Sequence, residues 1–212
     1  GDVLVGDAAG ISVIQALAAE ALSNSGTTTY SLLTDTVVNL LAASSTVRSH
    51  AESAVVSGGA QLTVSQANSL IIKYTADVAD LTGDTLHDTA ANLLLTSAAV
   101  IADMAAGNVT VDGNSTAQQA IDLDALFDAD LDLTVSPVVD NAAAILTVSS
   151  NAVDVLVLDT FSSITVSGTA TVGQIADINA DVVGSVEVGY ALNDLYENLS
   201  EDATSQAIVD NA

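Results

Sequence analysis

The chain has 212 residues and a formal charge of −25, from 27 acidic residues against 2 basic ones, and half of its residues are apolar. That charge repels polyanions, so neither nucleic acid nor an anionic membrane surface is expected as a partner. With only 14% charged residues the chain is expected to fold, and the absence of cysteine excludes disulfides and thiolate metal sites.

Aromatic residues make up 3% of the sequence and tryptophan is missing, which suits many small, similar layers better than one irregular core. Glu stands only at Glu20, Glu52, Glu187, Glu197 and Glu201, so the other 22 acids are Asp. Asp favours turns, caps and hard-cation ligation over helix interiors, which places the acid at loops and strand ends. No apolar run approaches the roughly 20 residues that cross a bilayer, and membrane insertion is not expected. The chain opens on Gly1 rather than Met, which reads as a processed or excised segment.

Taken in chain order, two kinds of segment alternate. The first kind is Ile11-Ser-Val13, Leu62-Thr-Val64, Val109-Thr-Val111 and Ile164-Thr-Val166, usually followed by a Gln-containing Ala/Leu stretch such as Gln66-Ala-Asn-Ser-Leu70. The second begins Asp35-Thr-Val-Val-Asn39-Leu-Leu and recurs from Asp88, from Asp140 and more loosely from Asp194. The spacings of that second kind are 53, 52 and 54 residues. Asp2-Val-Leu-Val-Gly-Asp7 also matches Asp154-Val-Leu-Val-Leu-Asp159, so the two ends share a phase.

Punctuation supplies the local structure. Asn108-Val-Thr-Val-Asp-Gly113 and Ile164-Thr-Val-Ser-Gly168 are β-branched runs closed by glycine, a strand signature. Ser65 to Ile72, Ser115 to Leu123 and Thr171 to Ile178 set a Ser or Thr ahead of an Ala/Gln/Leu stretch, which predicts capped short helices. The alternation in 129–135 predicts a strand; Pro137 is expected at a helix start, with the helix continuing from Asp140 to Val148.

Strand and helix units of roughly 26 residues require parallel strands joined by crossovers. The expected fold is α/β: a repeat solenoid of short parallel strands and short helices, a single array with units near 2–49, 50–102, 103–153 and 154–212. The alternative is a mostly α-helical repeat array, with Leu40, Leu41 and Val47, or Leu93, Leu94, Val100 and Met104, on longer helices.

The Asp88-Thr-Ala-Ala-Asn-Leu-Leu, Ser163-Ile-Thr-Val-Ser-Gly168 and Leu62-Thr-Val-Ser-Gln-Ala67 segments resemble the degenerate tandem repeats of very large secreted bacterial surface proteins, adhesin-like or hemolysin-type. The resemblance implies an extracellular, often calcium-associated, non-catalytic spacer or lattice element. The glycine-rich nonapeptide that binds calcium in hemolysin-type β-rolls is absent, so calcium does not follow from the motif.

Asp122, Asp124, Asp128, Asp130 and Asp132 form the densest acidic patch, and Asp128-Ala-Asp130-Leu-Asp132 has the alternate spacing with which calcium loops begin. Asp124, Asp128, Asp130 and Asp132 are therefore the candidate Ca2+ ligands. The competing reading makes them the solvent face of a strand whose Leu131 and Leu133 point inward, and no Glu at the twelfth position completes an EF-hand. Asp112-Gly113-Asn114 reads as a tight turn. Asp35, Asp88, Asp140 and Asp194 are expected as helix N-caps or first-turn residues, and Asn39, Asn92 and Asn198 as a buried ladder.

His50 and His87 belong to no His-Glu-x-x-His motif and are expected at surface or cap positions; Gly-x-Ser-x-Gly and the glycine-rich nucleotide loops are missing. Asn108, Asn114 and Asn198 match the glycosylation acceptor pattern, which a Ser/Thr-rich chain meets by chance. The function expected is a non-catalytic structural segment of a secreted or cell-surface protein, contacting neighbouring repeats or like subunits end to end. The alternatives are a self-assembling filament subunit and a glycan-binding module using Tyr30, Tyr74, Phe127, Phe161, Tyr190 and Tyr196.

Overall fold

The computed structural model describes residues 2–6, 9–22, 26–75, 78–104, 108–127, 132–134, 137–150, 163–181 and 187–192. Its elements run β1 (Val3–Val5), α1 (Val13–Glu20), β2 (Thr28–Tyr30), β3 (Leu33–Asp35), α2 (Val37–Ala42), α3 (Ser45–Ser49), β4 (Ala54–Val56), β5 (Gln61–Leu62) and α4 (Val64–Tyr74). There follow β6 (Ala79–Asp80), β7 (Thr85–Asp88), α5 (Ala90–Leu93), α6 (Ala98–Asp103), β8 (Asn108–Val111), α7 (Ala117–Phe127) and β9 (Asp132–Thr134). The chain continues through β10 (Val138–Asp140), α8 (Ala142–Ser149), β11 (Ser163–Ala170), α9 (Val172–Asp181) and β12 (Glu187–Leu192). This is a mixed α/β chain of short parallel strands and short helices. Leu40, Leu41 and Val47 lie on two short helices rather than one long one, with strands on either side.

The described residues fall into two compact units. The first takes in those up to Asp88, those of Leu95–Val109 and Asp132; the second takes in Thr89–Leu94, those of Thr110–Ala129 and those from Leu133 on. In the first, β1 pairs with β2, β4 lies between β3 and β6, and β5 pairs with β7, all parallel. In the second, β11 lies between β10 and β12, again parallel. Partners are 21 to 26 positions apart, as Leu33 with Ala54 and Val138 with Ile164, because a parallel neighbour needs a full crossover.

The buried positions explain both element types. Along β3 and β4, Leu33, Ala54 and Val56 are buried, as period-two alternation requires. On the helices, burial recurs every three or four residues: Val64, Ala67, Leu70, Ile71 and Tyr74 on α4; Ala142, Ile145 and Val148 on α8; Val172, Ile175 and Ile178 on α9. In the second unit the last two sets join Ala117, Ala120, Val138, Ile164 and Val166 in one cluster. Burying each Val or Ile side chain contributes about 1.5–3 kcal/mol, and the interposed alanines let the thin layers approach. Within each unit, helices pack on helices: α2 and α6 on α4 and α1 on α3 in the first, α7 and α9 on α8 in the second.

Three local expectations need correction. Pro137 precedes strand β10 instead of starting a helix; its carbonyl accepts the Ser115 N–H at 3.2 Å, and proline is tolerated at a strand entrance because it lacks only a donor. Asp35, Asp88 and Asp140 are the last residues of strands, and the N-caps are the residues after them, Thr36, Thr89 and Asn141. Asn39 and Asn92 are exposed, so they form no buried ladder. Asp194 and Asn198 lie outside the described residues, as does most of the 154–212 unit.

Candidate functional site

Helix starts carry the most regular chemistry of the chain. Ser12 with Gln15, Thr63 with Gln66, Thr116 with Gln119 and Thr171 with Gln174 each form a capping box: the hydroxyl accepts the Gln N–H at 3.2–3.3 Å, and the Gln Oε1 accepts the cap N–H at 2.8–3.0 Å. The next N–H, at the first helical residue, is taken by an Asp that ends the second strand after that helix. Asp35 Oδ2 accepts from Val13 at 3.0 Å, Asp88 Oδ2 from Val64 at 3.3 Å, and Asp140 Oδ2 from Ala117 at 3.2 Å. The other oxygen of Asp35 and of Asp140 turns back to its own cap, accepting the N–H of Thr36 and of Asn141, both at 2.8 Å. One carboxylate thus satisfies backbone donors of two successive helix starts, where otherwise four amides per helix have no intrahelical partner. Burial pushes the Asp35 carboxyl up, but the Asn39 amide and the Thr36 and Val13 N–H groups together hold it below its ordinary value.

Two further carboxylates extend the scheme. Asp103 Oδ2 accepts the Leu81 N–H, and Asp84 Oδ1 accepts the Ala60 N–H, both at 2.8 Å. Asp84 is 3% exposed and its Oδ2 has no partner. Burial, only partly offset by the Ala60 N–H and reinforced by the charges of Asp80 and Asp103, pushes Asp84 up to about 6.

Near the start of the chain, Glu20 bridges two other elements. Tyr30 donates its hydroxyl to Glu20 Oε1 at 2.6 Å and to the Ala16 carbonyl at 3.0 Å, and His50 Nδ1 lies 2.7 Å from the same carboxylate oxygen. The Tyr30 hydroxyl first, and His50 second, hold Glu20 below its ordinary range; burial, then Glu20 itself, pushes Tyr30 up. His50 is the C-cap of α3, in keeping with its expected position. With Tyr30 fully buried, the cluster is a cross-brace that ties α1, β2 and the end of α3 together.

The two basic residues converge. Arg48 Nη1 donates to the Ala43 carbonyl, Lys73 Nζ to the Leu41 carbonyl at 2.6 Å and the Tyr74 hydroxyl to the Leu40 carbonyl at 2.9 Å. All three groups meet the carbonyl end of α2, which breaks at Ala43 (ψ 142°) and so leaves its last acceptors unpaired within the helix. Burial is the main reason Tyr74 is pushed up to about 12. Ser45, Arg48, Ser49, Lys73, Tyr74 and Thr75 line a pocket of about 350 Å³ in this unit. Thr75 sits at φ 65°, ψ 157°, a region that only glycine enters easily, and is the one non-glycine with positive φ among the described residues.

Of the residues proposed from sequence as calcium ligands, Asp124 is exposed on α7 and Asp132 lies in β9; Asp128 and Asp130 fall outside the described residues. Among the described residues no group of three or more His, Asp or Glu is arranged to hold a metal. Within Asp112-Gly113-Asn114 the chain bends at Gly113, which sits at φ 80°. Tyr30, Tyr74 and Phe127 are buried, which removes three of the six aromatics as sugar-stacking platforms. Sequence reasoning passed over Asp84, Glu20 and the Arg48/Lys73 pair. The signal for that pair was present: two cations 25 positions apart, close to one strand-to-strand period.

Compared with known proteins, the chain matches no family model, no curated protein and no solved structure, so its functional reading rests on its own residues and geometry.

Proposed function

We propose that this chain is a non-catalytic structural segment of a secreted or cell-surface bacterial protein, a spacer or lattice element built as an α/β solenoid. The observation that carries the reading is the threefold use of one device: Asp35, Asp88 and Asp140 each take the first helical N–H of the helix 22 to 24 residues earlier in the same repeat. The bond ties the two strand–helix halves of each repeat together, and its recurrence at 53 and 52 residues is what a linear array of like repeats would show. It also gives the Asp-rich composition a structural purpose. The capping boxes at Ser12, Thr63, Thr116 and Thr171 support the same reading, since they fall at intervals of 51, 53 and 55 residues.

The calcium part of this proposal rests on the alternate spacing of Asp128, Asp130 and Asp132 with Asp124 nearby. Thermal melts in millimolar calcium and in chelator test it: calcium is expected to raise the melting temperature, and identical melts discard the cation.

A second reading, assembly into filaments, draws on the edge of β1. This strand pairs with β2 alone among the described strands, and Val3 and Leu4 are 43% and 67% exposed. Such an edge accepts a further parallel strand. Light scattering with negative-stain electron microscopy separates the two: a 21.2 kDa monomer at all concentrations supports the spacer, and filaments support the second reading. Turnover of an ester, glycoside or phosphate in a broad substrate screen overturns both.

A further inference from the structure

The Arg48/Lys73 pocket is more than the cap of a broken helix requires. Arg48 and Lys73 are the only Lys or Arg side chains in a chain with 27 acids, yet both line one pocket. Neither lies within 4.0 Å of a carboxylate among the described residues, where the single such pair is His50 with Glu20. Each spends one donor on a carbonyl of the α2 end, at Ala43 and at Leu41. A guanidinium has five N–H groups and an ammonium three, so most of their donor capacity is left over. A non-glycine residue in a glycine-only backbone region, Thr75, lines the same pocket, and such strain persists where a shape is held for use.

We propose that this pocket binds a small hydroxylated carboxylate of about monosaccharide size, such as a terminal uronic acid, with Arg48 and Lys73 on the carboxylate and Ser45, Ser49 and Thr75 at its hydroxyls. Three arguments select that ligand class. The volume, about 350 Å³, is at the small end of ligand pockets and fits one sugar-sized molecule. The planar fork of arginine matches a carboxylate in two parallel hydrogen bonds. A chain at −25 repels a dianion more strongly than a monoanion, which favours a carboxylate over a phosphate. This inference stands whether the chain is a spacer or a filament subunit.

The test is a titration of the intact, isotope-labelled chain followed by NMR, with glucuronate as the probe, glucose as the neutral control and inorganic phosphate as the second anion. Saturable shifts at Ser45, Ser49 and Thr75 with glucuronate, and none with glucose, are expected. Lys73→Gln is expected to weaken glucuronate by about tenfold or more. Because Lys73 also caps α2, Ser45→Glu serves as the second variant. Ser45 is exposed at the first position of α3, where an acidic side chain is tolerated, and a carboxylate there occupies the cations without removing them. It is expected to abolish binding in a chain whose spectrum remains folded. The proposal is overturned by the absence of saturation at about 10 mM glucuronate, by equal binding of glucose, by tighter binding of phosphate, or by a Ser45→Glu chain that binds as the parent does.

Discussion

Two stretches that follow the same sequence signal, Asp35-Thr36 and Asp140-Asn141, solve the end of the next helix differently. After Asp35, α2 stops at Ala42, the backbone turns extended at Ala43, and a new cap, Ser44, starts α3. The carbonyls released at the break are met by Tyr74, Lys73 and Arg48. After Asp140, α8 runs unbroken to Ser149, its backbone closes on itself with Ser150 N–H to the Leu146 carbonyl, and the neighbouring helix is reached by one bond, Ser149 hydroxyl to Asp181 at 2.7 Å. The lesson is that the break creates acceptors, acceptors recruit donors, and in this chain the donors include both cations. The pocket lined by Arg48 and Lys73 lies at this broken helix, and the continuous α8 offers no such gathering of donors.

The comparison can be broken most severely at the shared feature. Asp35→Ala and Asp140→Ala each remove acceptors from two helix starts and are expected to cost about 2–3 kcal/mol in urea denaturation. Similar losses confirm that the device works alike in both stretches; a loss at one site only means that the other is redundant.

Asp84 lies next in size. Its carboxyl, pushed up to about 6 by burial, binds its proton more tightly folded than unfolded. Its contribution to stability is therefore fully present below its unfolded value of 3.8 and is lost as the pH rises through about 6. Asp84→Asn keeps an acceptor for Ala60 and is expected to gain about 2 kcal/mol over the parent at pH 7 and nearly nothing at pH 4. Glu20 and Asp35, both held below their ordinary values, lose stability in the opposite direction as the pH falls, but equally in parent and variant, so they cancel. A pH-independent difference would remove the burial argument.

Smaller effects sharpen the contrast at the helix ends. Tyr74→Phe leaves the buried Leu40 carbonyl without its donor and is expected to cost about 1–1.5 kcal/mol, whereas Ser149→Ala, on the continuous helix, is expected to cost about 1 kcal/mol or less. Reversal of that order in chemical denaturation would mean that the broken end does not depend on its recruited donors. Thr75→Gly relieves the positive φ and is expected to change stability by about +1 kcal/mol, since strain released in the folded state outweighs the added freedom of the unfolded chain. Ser115→Ala, removing a buried hydroxyl that has no partner, is expected to gain a few tenths of a kcal/mol at about the limit of measurement.

Much of the fold was legible because its signals are local. The β-branched runs at Asn108 and Ile164, the Ser or Thr ahead of an Ala/Gln/Leu stretch and the roughly 26-residue alternation mark strand and helix locally, although of the expected starts Ser65, Ser115 and Thr171 only Thr171 is the cap, the others being Thr63 and Thr116. Asp35, Asp88 and Asp140 were read one position out, as caps. A strand-terminal carboxylate and an N-cap carboxylate look alike in sequence when a Thr or Asn follows, and only the partner, an amide 22 to 24 residues earlier, tells them apart. Asn39 was misplaced for a similar reason: its amide bonds the exposed face of Asp35 at 2.7 Å, a contact available only once the strand end turns outward.

By itself, then, the sequence determined the mixed α/β character and the parallel pairing of short strands, since capping, β-branching and crossover length are short-range physics. The tertiary structure alone decided which groups distant in sequence serve each other. It gave Asp84 a buried oxygen without a partner, joined Glu20 to Tyr30 and His50, and brought Arg48 and Lys73 to one wall. Burial, donor satisfaction and charge proximity depend on what lies beside a residue in space, and parallel pairing places beside it residues 21 to 26 positions away.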